Sequence, residues 1–522
     1  GAIFPIFGYQ KCIANQMKTT DDLFVLIKSL TKTEKRYFKV YTSKGKDSSK
    51  KQNYIQLFDA IEKQQTYDEE AVISKFSDSK FIKHLPSEKN YLYHLILKTL
   101  HLYHSASDEN IKAAELLHYS EILYHRGLFH QSEKIIDKYK KVALAQEMPL
   151  QLIKSTRHRI ALSLQSSGNS KKLESELIQT IHDSKLALAK IQNLQEYREL
   201  YIQFLLLIRK EGEFFRNDSG QSKFAPIIDH PLMADENLAL TPDAKAIFHY
   251  ISKTYQYIIG EGLESNYNYY SELIQKEAFD VSEQTRRLSN FCEICVKMGK
   301  YDKAMELLSA IKSLPTQSFL EKGKQFYRYY DNLLSLYNQT GAFEKAERLI
   351  PTIKTGIKHY ENVIHKSKII SLYFHFAYSY FGVKDYKNAL QQIHFIVNDP
   401  ADLRRDILCY TRILQLMIYL ETNDMLSMEH LVKSSRYFFS TRERLYKYEE
   451  ALLLFFKRFY LLTEEKEKAA LYSRLHSELK EIAATFSEKE INFYTHQIYW
   501  VESKINNTPF VEILQSKSNF AN

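Results

Sequence analysis

Apolar residues recur along this chain at helical rather than alternating spacing. Leu288, Phe291, Cys292 and Cys295 form one stripe, and Met305, Leu308 and Ile311 form another, which places each set on one face of a helix. Between the stripes lies Gly299-Lys-Tyr301-Asp-Lys-Ala304. Glycine permits the left-handed backbone that ends one helix, an aromatic two places on closes the turn, and a small residue lets the second helix pack closely on the first. The pattern therefore predicts an antiparallel helical hairpin.

The hairpin repeats. Cys295 to Ala304, Tyr337-Asn-Gln-Thr-Gly341-Ala-Phe343-Glu-Lys-Ala346, and Tyr378-Ser-Tyr-Phe-Gly382 share one order of residue types, the last reaching Tyr386 and Ala389 after two extra positions. Extending the interval both ways marks turns at Gly127, Gly168, Gly212, Gly260, Gly299, Gly341, Gly382, Asn423, Glu464 and Asn506, spaced 39 to 48 residues apart and mostly 41 or 42. The widest interval, from Gly212 to Gly260, holds Asn217-Asp-Ser-Gly220 with Pro226 and Pro231, so a surface loop is expected near 216–241. Thr241-Pro242 then reads as the N-cap and first turn of a helix.

Gly-x-Tyr/Phe-x-x-Ala at the turn, with Pro315 and Pro400 where second helices would end, resembles the tetratricopeptide repeat, most closely over residues 283–400. The period is longer than that family's 34 residues, and an array of HEAT-like repeats is the rival architecture. The resemblance implies an all-α, right-handed solenoid of antiparallel helix pairs that receives a peptide or helical segment in its concave groove. Residues 107–241 are expected as degenerate repeats and 242–522 as the repeats proper with a C-terminal cap.

Residues 17–106 do not follow the interval. Leu23-Leu26-Ile27-Leu30, a capping box Thr31-Lys-Thr-Glu34, Tyr54-Leu57-Phe58-Ile61 and a segment after Pro86 predict short amphipathic helices that cap the array. The run Leu26 to Lys39, with Lys89-Asn-Tyr-Leu-Tyr93, also resembles a group of helical-repeat proteins common in Bacteroidota, a likeness that implies no function. Residues 1–16 are expected to be an extension outside the fold.

Composition supports helices, since 14 Gly and 10 Pro in 522 residues are few. The net charge of +9, from 72 basic and 63 acidic residues, is too mild to demand a nucleic-acid partner. Four cysteines make no disulfide framework and suit a reducing compartment, which points to the cytoplasm. No window reaches the apolar length of a membrane span.

Candidate chemistry is sparse. Aligned to the repeat family, Arg286 with Asn290 and Arg328 with Asn332 fall on the groove wall one period apart. Arginine forks grip carboxylates and Asn can hold peptide backbone, so the four are candidate peptide-binding residues. The family's other clamp positions hold Ser289, Glu293, Asp331 and Ser335. Their plainer role is inter-repeat hydrogen bonding. Lys35, Arg36, Lys39, Lys44, Lys46, Lys50 and Lys51, interleaved with Tyr37, Phe38 and Tyr41, could instead contact a phosphate backbone, as in a nucleic-acid-associated regulator whose repeats sense a partner. Cys292-Glu-Ile-Cys295 lies on the apolar stripe and reads as core rather than as a metal or redox pair. His94, His101 and His104 share a helix face without a carboxylate or thiol beside them. Gly260-Glu-Gly262 lacks a third glycine, and no P-loop, HExxH or Gly-x-Ser-x-Gly occurs. The sequence therefore predicts a non-enzymatic scaffold with no metal or cofactor.

Overall fold

The computed structural model describes residues 22–43, 48–77, 79, 84–105, 109–165, 170–211, 222–259, 262–275, 281–316, 318–398, 403–442, 444–484 and 492–518. Residues 1–16, Lys44, Lys46, Gly168, Gly212, Gly260 and Pro400 lie outside them, as do the side chains of Lys50 and Lys51. Every regular element among the described residues is helical, and none of these helices is long and apolar enough to cross a membrane. The chain forms two compact units, residues 1–189 with 317–319 and residues 190–316 with 320–522, so the division falls inside the segment 107–241.

In the first unit, α1 (Asp22–Ser29), α2 (Lys32–Ser43), α3 (Ser48–Lys63), α4 (Glu69–Lys75) and α5 (Leu85–His104) close on Leu23, Ile27, Phe38, Leu57, Phe58, Ile61 and Leu92. The capping box opens α2: Thr31 N–H donates to Glu34 Oε2 at 2.7 Å and Glu34 N–H to Thr31 Oγ1 at 3.2 Å. Each bond satisfies a donor that a helix start leaves without an intrahelical partner. Next, α6 (Glu109–His125) and α7 (Phe129–Ala145) pair across Gly127, and α8 (Pro149–Ser163) packs on α7.

A hairpin was expected between Gly168 and Gly212, but α9 (Ser170–Glu211) is one unbroken helix of 42 residues. Nothing in it punctuates the backbone, because 170–211 contains neither Gly nor Pro. Its first part belongs to the first unit and its remainder to the second.

The second unit continues with α10 (Ala225–Ile228), α11 (Pro242–Ile258), α12 (Leu263–Leu273), α13 (Val281–Lys297), α14 (Tyr301–Ser313), α15 (Phe319–Thr340), α16 (Phe343–His359), α17 (Lys366–Gly382) and α18 (Tyr386–Val397). It ends with α19 (Arg405–Glu421), α20 (Met425–Thr441), α21 (Lys447–Phe459), α22 (Glu465–Ala483), α23 (Asn492–Asn506) and α24 (Phe510–Ser518). Thr241 caps α11 as expected, accepting from Ala244 N–H at 3.1 Å. The preceding segment is not the solvated loop its prolines suggest. Phe224 and Ile227 are buried against Leu200, Phe204 and Ile251. Asn193 and Tyr197 of α9 bond the main chain at Leu232, Leu238 and Leu240. Apolar side chains between the prolines draw the segment into the core.

One turn geometry recurs. Left-handed residues at Gly127, Glu147, Gly299, Gly341, Lys384, Asn423 and Asn507 follow helices, with φ between 48° and 74°. In each case the next N–H donates to the carbonyl five places back: Leu128 to Leu123, Met148 to Ala143, Lys300 to Cys295, Ala342 to Tyr337, Asp385 to Tyr380, Asp424 to Tyr419 and Thr508 to Ser503. This is the Schellman closure of a helix end. The small residue after the turn does what the pattern requires, since Ala304, Ala346 and Ala389 are all fully buried.

Gly382 corrects one expectation. The left-handed residue of that turn is Lys384, and Gly382 ends α17. A Cβ on Gly382 would lie 2.1 Å from Cγ of the buried Phe343, so glycine is needed there for packing. Gly356 likewise accommodates Phe326, at 2.1 Å.

First helices of successive hairpins are tied by polar rungs one period long. Lys324 Nζ donates to Ser282 Oγ at 3.1 Å and Asn332 Nδ2 to Ser289 Oγ at 2.8 Å. Ser371 Oγ donates to Asp331 Oδ1 at 2.9 Å and Ser379 Oγ to Asn338 Oδ1 at 2.7 Å. The partners are 40 to 43 residues apart. The C-terminal pair then folds back: Tyr378 OH and His496 Nδ1 lie 2.7 Å apart, Gln515 Nε2 donates to Gly341 O at 3.2 Å, and buried Trp500 donates to Glu421 Oε1 at 2.7 Å.

Replacing Gly382 with Ala should destabilise the protein by about 1–3 kcal/mol through overpacking, with part recovered when Phe343 is also changed to Leu. Urea denaturation checks this; an unchanged midpoint for Gly382→Ala would contradict the packing role.

Candidate functional site

The four residues expected to bind peptide divide by type. Asn332 is buried, and its amide nitrogen donates to Ser289 Oγ at 2.8 Å and to Arg328 O at 2.9 Å. Asn290 Nδ2 donates to Tyr270 OH at 3.1 Å. Both asparagines are committed to helix contacts. The two arginines, in contrast, meet at one cavity of about 340 Å³ in the second unit.

Three helices build that cavity. The first turns of α13 contribute Ser282, Glu283 and Arg286, and α15 contributes Gly323, Lys324, Tyr327 and Arg328. The residues entering α17 supply Val363, Ile364 and His365, and its first turn Lys368. Helical spacing puts Lys324, Tyr327 and Arg328 on one face of α15. A Cβ on Gly323 would lie 2.6 Å from Val363 Cγ1, so the glycine lets the turn before α17 press against α15. His365 caps α17, its Nδ1 accepting from Ser367 N–H at 3.2 Å.

Four cations and one carboxylate line this space. Glu283 is fully engaged, receiving Arg286 Nε at 2.8 Å, Arg286 Nη2 at 2.6 Å and Arg287 Nε at 2.7 Å. Burial alone would raise its pKa, but the two guanidiniums outweigh that and hold the carboxyl below its usual range. Among the described residues Arg328 and Lys324 have no carboxylate partner, while Lys324 reaches Ser282. Arg328 and Lys368 stand 5.8 and 5.6 Å from the centre of the Tyr327 ring. The result is a basic recess with an aromatic wall, suited to an anionic group.

The N-terminal basic stretch is partly neutralised within its own bundle. Lys35 pairs with Glu62 at 2.9 Å, and Lys39 with Asp59 at 2.7 Å. Phe38 stacks on Phe58 in the core and Tyr37 meets Tyr103. Arg36 is exposed. His104 pairs with Glu34 at 2.8 Å, whereas His94 and His101 are exposed. The thiols of Cys292 and Cys295 are both buried, and burial pushes Cys295 up to about 11 and Cys292 higher still. Neither is a reactive thiolate at neutral pH.

One cluster escapes sequence reading. Ser120 and Ser132 each donate to the other's carbonyl, at 2.8 and 2.7 Å, while His158 Nε2 lies 2.9 and 3.1 Å from their hydroxyl oxygens. The two hydroxyl oxygens also lie 2.9 Å apart. With both carbonyls as acceptors the trio clasps α6, α7 and α8 together. Its signal, two serines and a histidine on three helices, leaves no local motif.

Comparison with protein-family models, with curated proteins and with solved structures gives no match for this chain.

Replacing Asn332 with Ala should cost about 1–2 kcal/mol, because a buried rung is lost. Replacing Arg328 with Ala should stay within about 0.5 kcal/mol. Urea unfolding of both variants checks the assignment; the opposite order of costs would mean that Arg328 is architectural.

Proposed function

We propose that the second unit is a tetratricopeptide-like, right-handed α-solenoid that acts as a protein-protein interaction scaffold, holding an anionic segment of another polypeptide at the Arg286–Arg328 cavity. The observation that carries this reading is the convergence of Arg286, Lys324, Arg328 and Lys368 from three helices on one recess where Glu283, the one lining carboxylate among the described residues, is already engaged. Arg328 and Lys324, without a carboxylate partner among the described residues, favour an anionic guest over a neutral one. Period-long rungs between first helices support the repeat architecture. The engagement of Asn332 with Ser289 and of Asn290 with Tyr270 narrows the binding set from the expected four residues to the two arginines and the neighbouring lysines.

The scaffold reading also explains the scarcity of chemistry. Strongly perturbed groups in this unit, such as His496, Tyr378 and Asp406, are buried in the packed core rather than gathered at a cavity. The alternative, a nucleic-acid-associated regulator, draws less support, because Lys35 and Lys39 already have acidic partners on α3.

Affinity capture from the native cell, with wild-type protein and the Arg286→Ala/Arg328→Ala double variant side by side, tests the proposal. The expected result is a polypeptide retained by the wild type and lost, or reduced at least about tenfold, by the variant. Equal retention by a correctly folded variant would refute the assignment of the cavity.

A further inference from the structure

Helix α9 presents a second apolar face that its own chain leaves open. Its core-facing side is accounted for, since Ala187, Tyr197, Leu200 and Phe204 are buried. A helix that buries one apolar stripe is ordinarily polar around the rest of its surface. On α9, however, Ile178, Ile181, Leu188, Ile202 and Leu206 lie on another side and are 46% to 62% exposed. Counted together with Lys185, Gln192, Gln195 and Glu199, which are exposed as well, they recur at alternating steps of three and four residues. That spacing draws one continuous stripe along an unbroken helix, with the 3.5-residue period by which two helices wrap around each other.

The order of residue types along the stripe identifies what covers it. Ile178, Ile181 and Lys185 stand towards one end, Glu199, Ile202 and Leu206 towards the other, and Gln192 lies midway. Read backwards about Gln192, the stripe complements itself: position 178 meets 206, 181 meets 202 and 185 meets 199, so that apolar faces apolar and lysine faces glutamate. Neither Lys185 nor Glu199 has an ion-pair partner among the described residues. A parallel arrangement would set lysine against lysine and glutamate against glutamate, which like-charge repulsion opposes.

Length and width set the strength of such a contact. From 178 to 206 the stripe runs about 42 Å at 1.5 Å per residue. At about 10 Å wide it covers roughly 400 Å² per copy, half the roughly 800 Å² of a standard interface. The contact is therefore reversible rather than permanent.

We infer that α9 is a self-association surface, on which a second copy of this chain docks antiparallel through the 178–206 stripe, with Lys185 of each copy paired to Glu199 of the other. The surface is defined by α9 alone and shares no residue with the α13–α15–α17 cavity, so the two assignments stand or fall independently.

Sedimentation equilibrium of the full chain at low salt, from about 1 to about 200 µM, should give a monomer–dimer equilibrium with a Kd on the order of 10 µM. Lys185→Glu and Glu199→Lys should each weaken it at least about fivefold, because both cross-pairs of the dimer become like-charged. The Lys185→Glu/Glu199→Lys double variant restores opposite charges and should return to within about twofold of the wild type. Circular dichroism confirms the fold of each variant. A wild type that stays monomeric throughout, single reversals that dimerise as well as the wild type, or a double variant no tighter than the singles would overturn the inference.

Discussion

A helix that ends on a left-handed residue, with the next N–H returned to the carbonyl five places earlier, closes its own last turn and sends the chain back along itself. Among the described residues seven helices end in that way, at Gly127, Glu147, Gly299, Gly341, Lys384, Asn423 and Asn507. The closure fixes where one helix stops, and the buried alanines at 304, 346 and 389 fix how near the next can lie. In the second unit, recurrence at an almost constant interval brings first helices close enough for Asn332 to reach Ser289 and Ser379 to reach Asn338. The convergence of Arg286 and Arg328 on one cavity is a consequence of that spacing, since equivalent positions on adjacent first helices become neighbours.

What could be read from the residues depended on how local the cause was. Gly127, Gly299, Gly341 and Asn423 at helix ends are local signals, and so are the Thr31–Glu34 box and the Thr241-Pro242 start; each appears where the pattern puts it, and the turn expected at Asn506 has its left-handed residue one place on, at Asn507. Gly382 shows the limit of such reading. Its place in the interval suggests a backbone role, but its cause is Phe343, a ring 39 residues earlier in the chain that leaves no room for a Cβ. Residues 222–240 look like a loop for a similar reason, because prolines are visible locally whereas the burial of Phe224 against Phe204 is not. The return of α23 and α24 onto Gly341 and Tyr378 spans 118 to 174 residues and leaves no periodic trace.

The candidate site was half legible. Arg and Asn at one spacing drew notice to α13 and α15, two of the helices that line the cavity, yet composition could not separate a side chain facing a cavity from one facing a neighbouring helix. The structure separates them by partners: Ser289 and Tyr270 occupy the asparagines, while Arg328 stands beside Lys324 and Tyr327. Lys324, Lys368 and Tyr327 escaped sequence reading because they gain significance only when three helices are brought together.

Paired-cysteine cross-linking tests the period-long stacking most directly. Ser289→Cys/Asn332→Cys and Asp331→Cys/Ser371→Cys variants, oxidised under native conditions and mapped by mass spectrometry of the linked peptides, should each form its internal disulfide in high yield. Pairs displaced by half a period, such as Ser289→Cys with Lys312→Cys, should not. Efficient linkage of the displaced pair, with none for the period-spaced pairs, would contradict the stacking on which the cavity and its proposed guest depend.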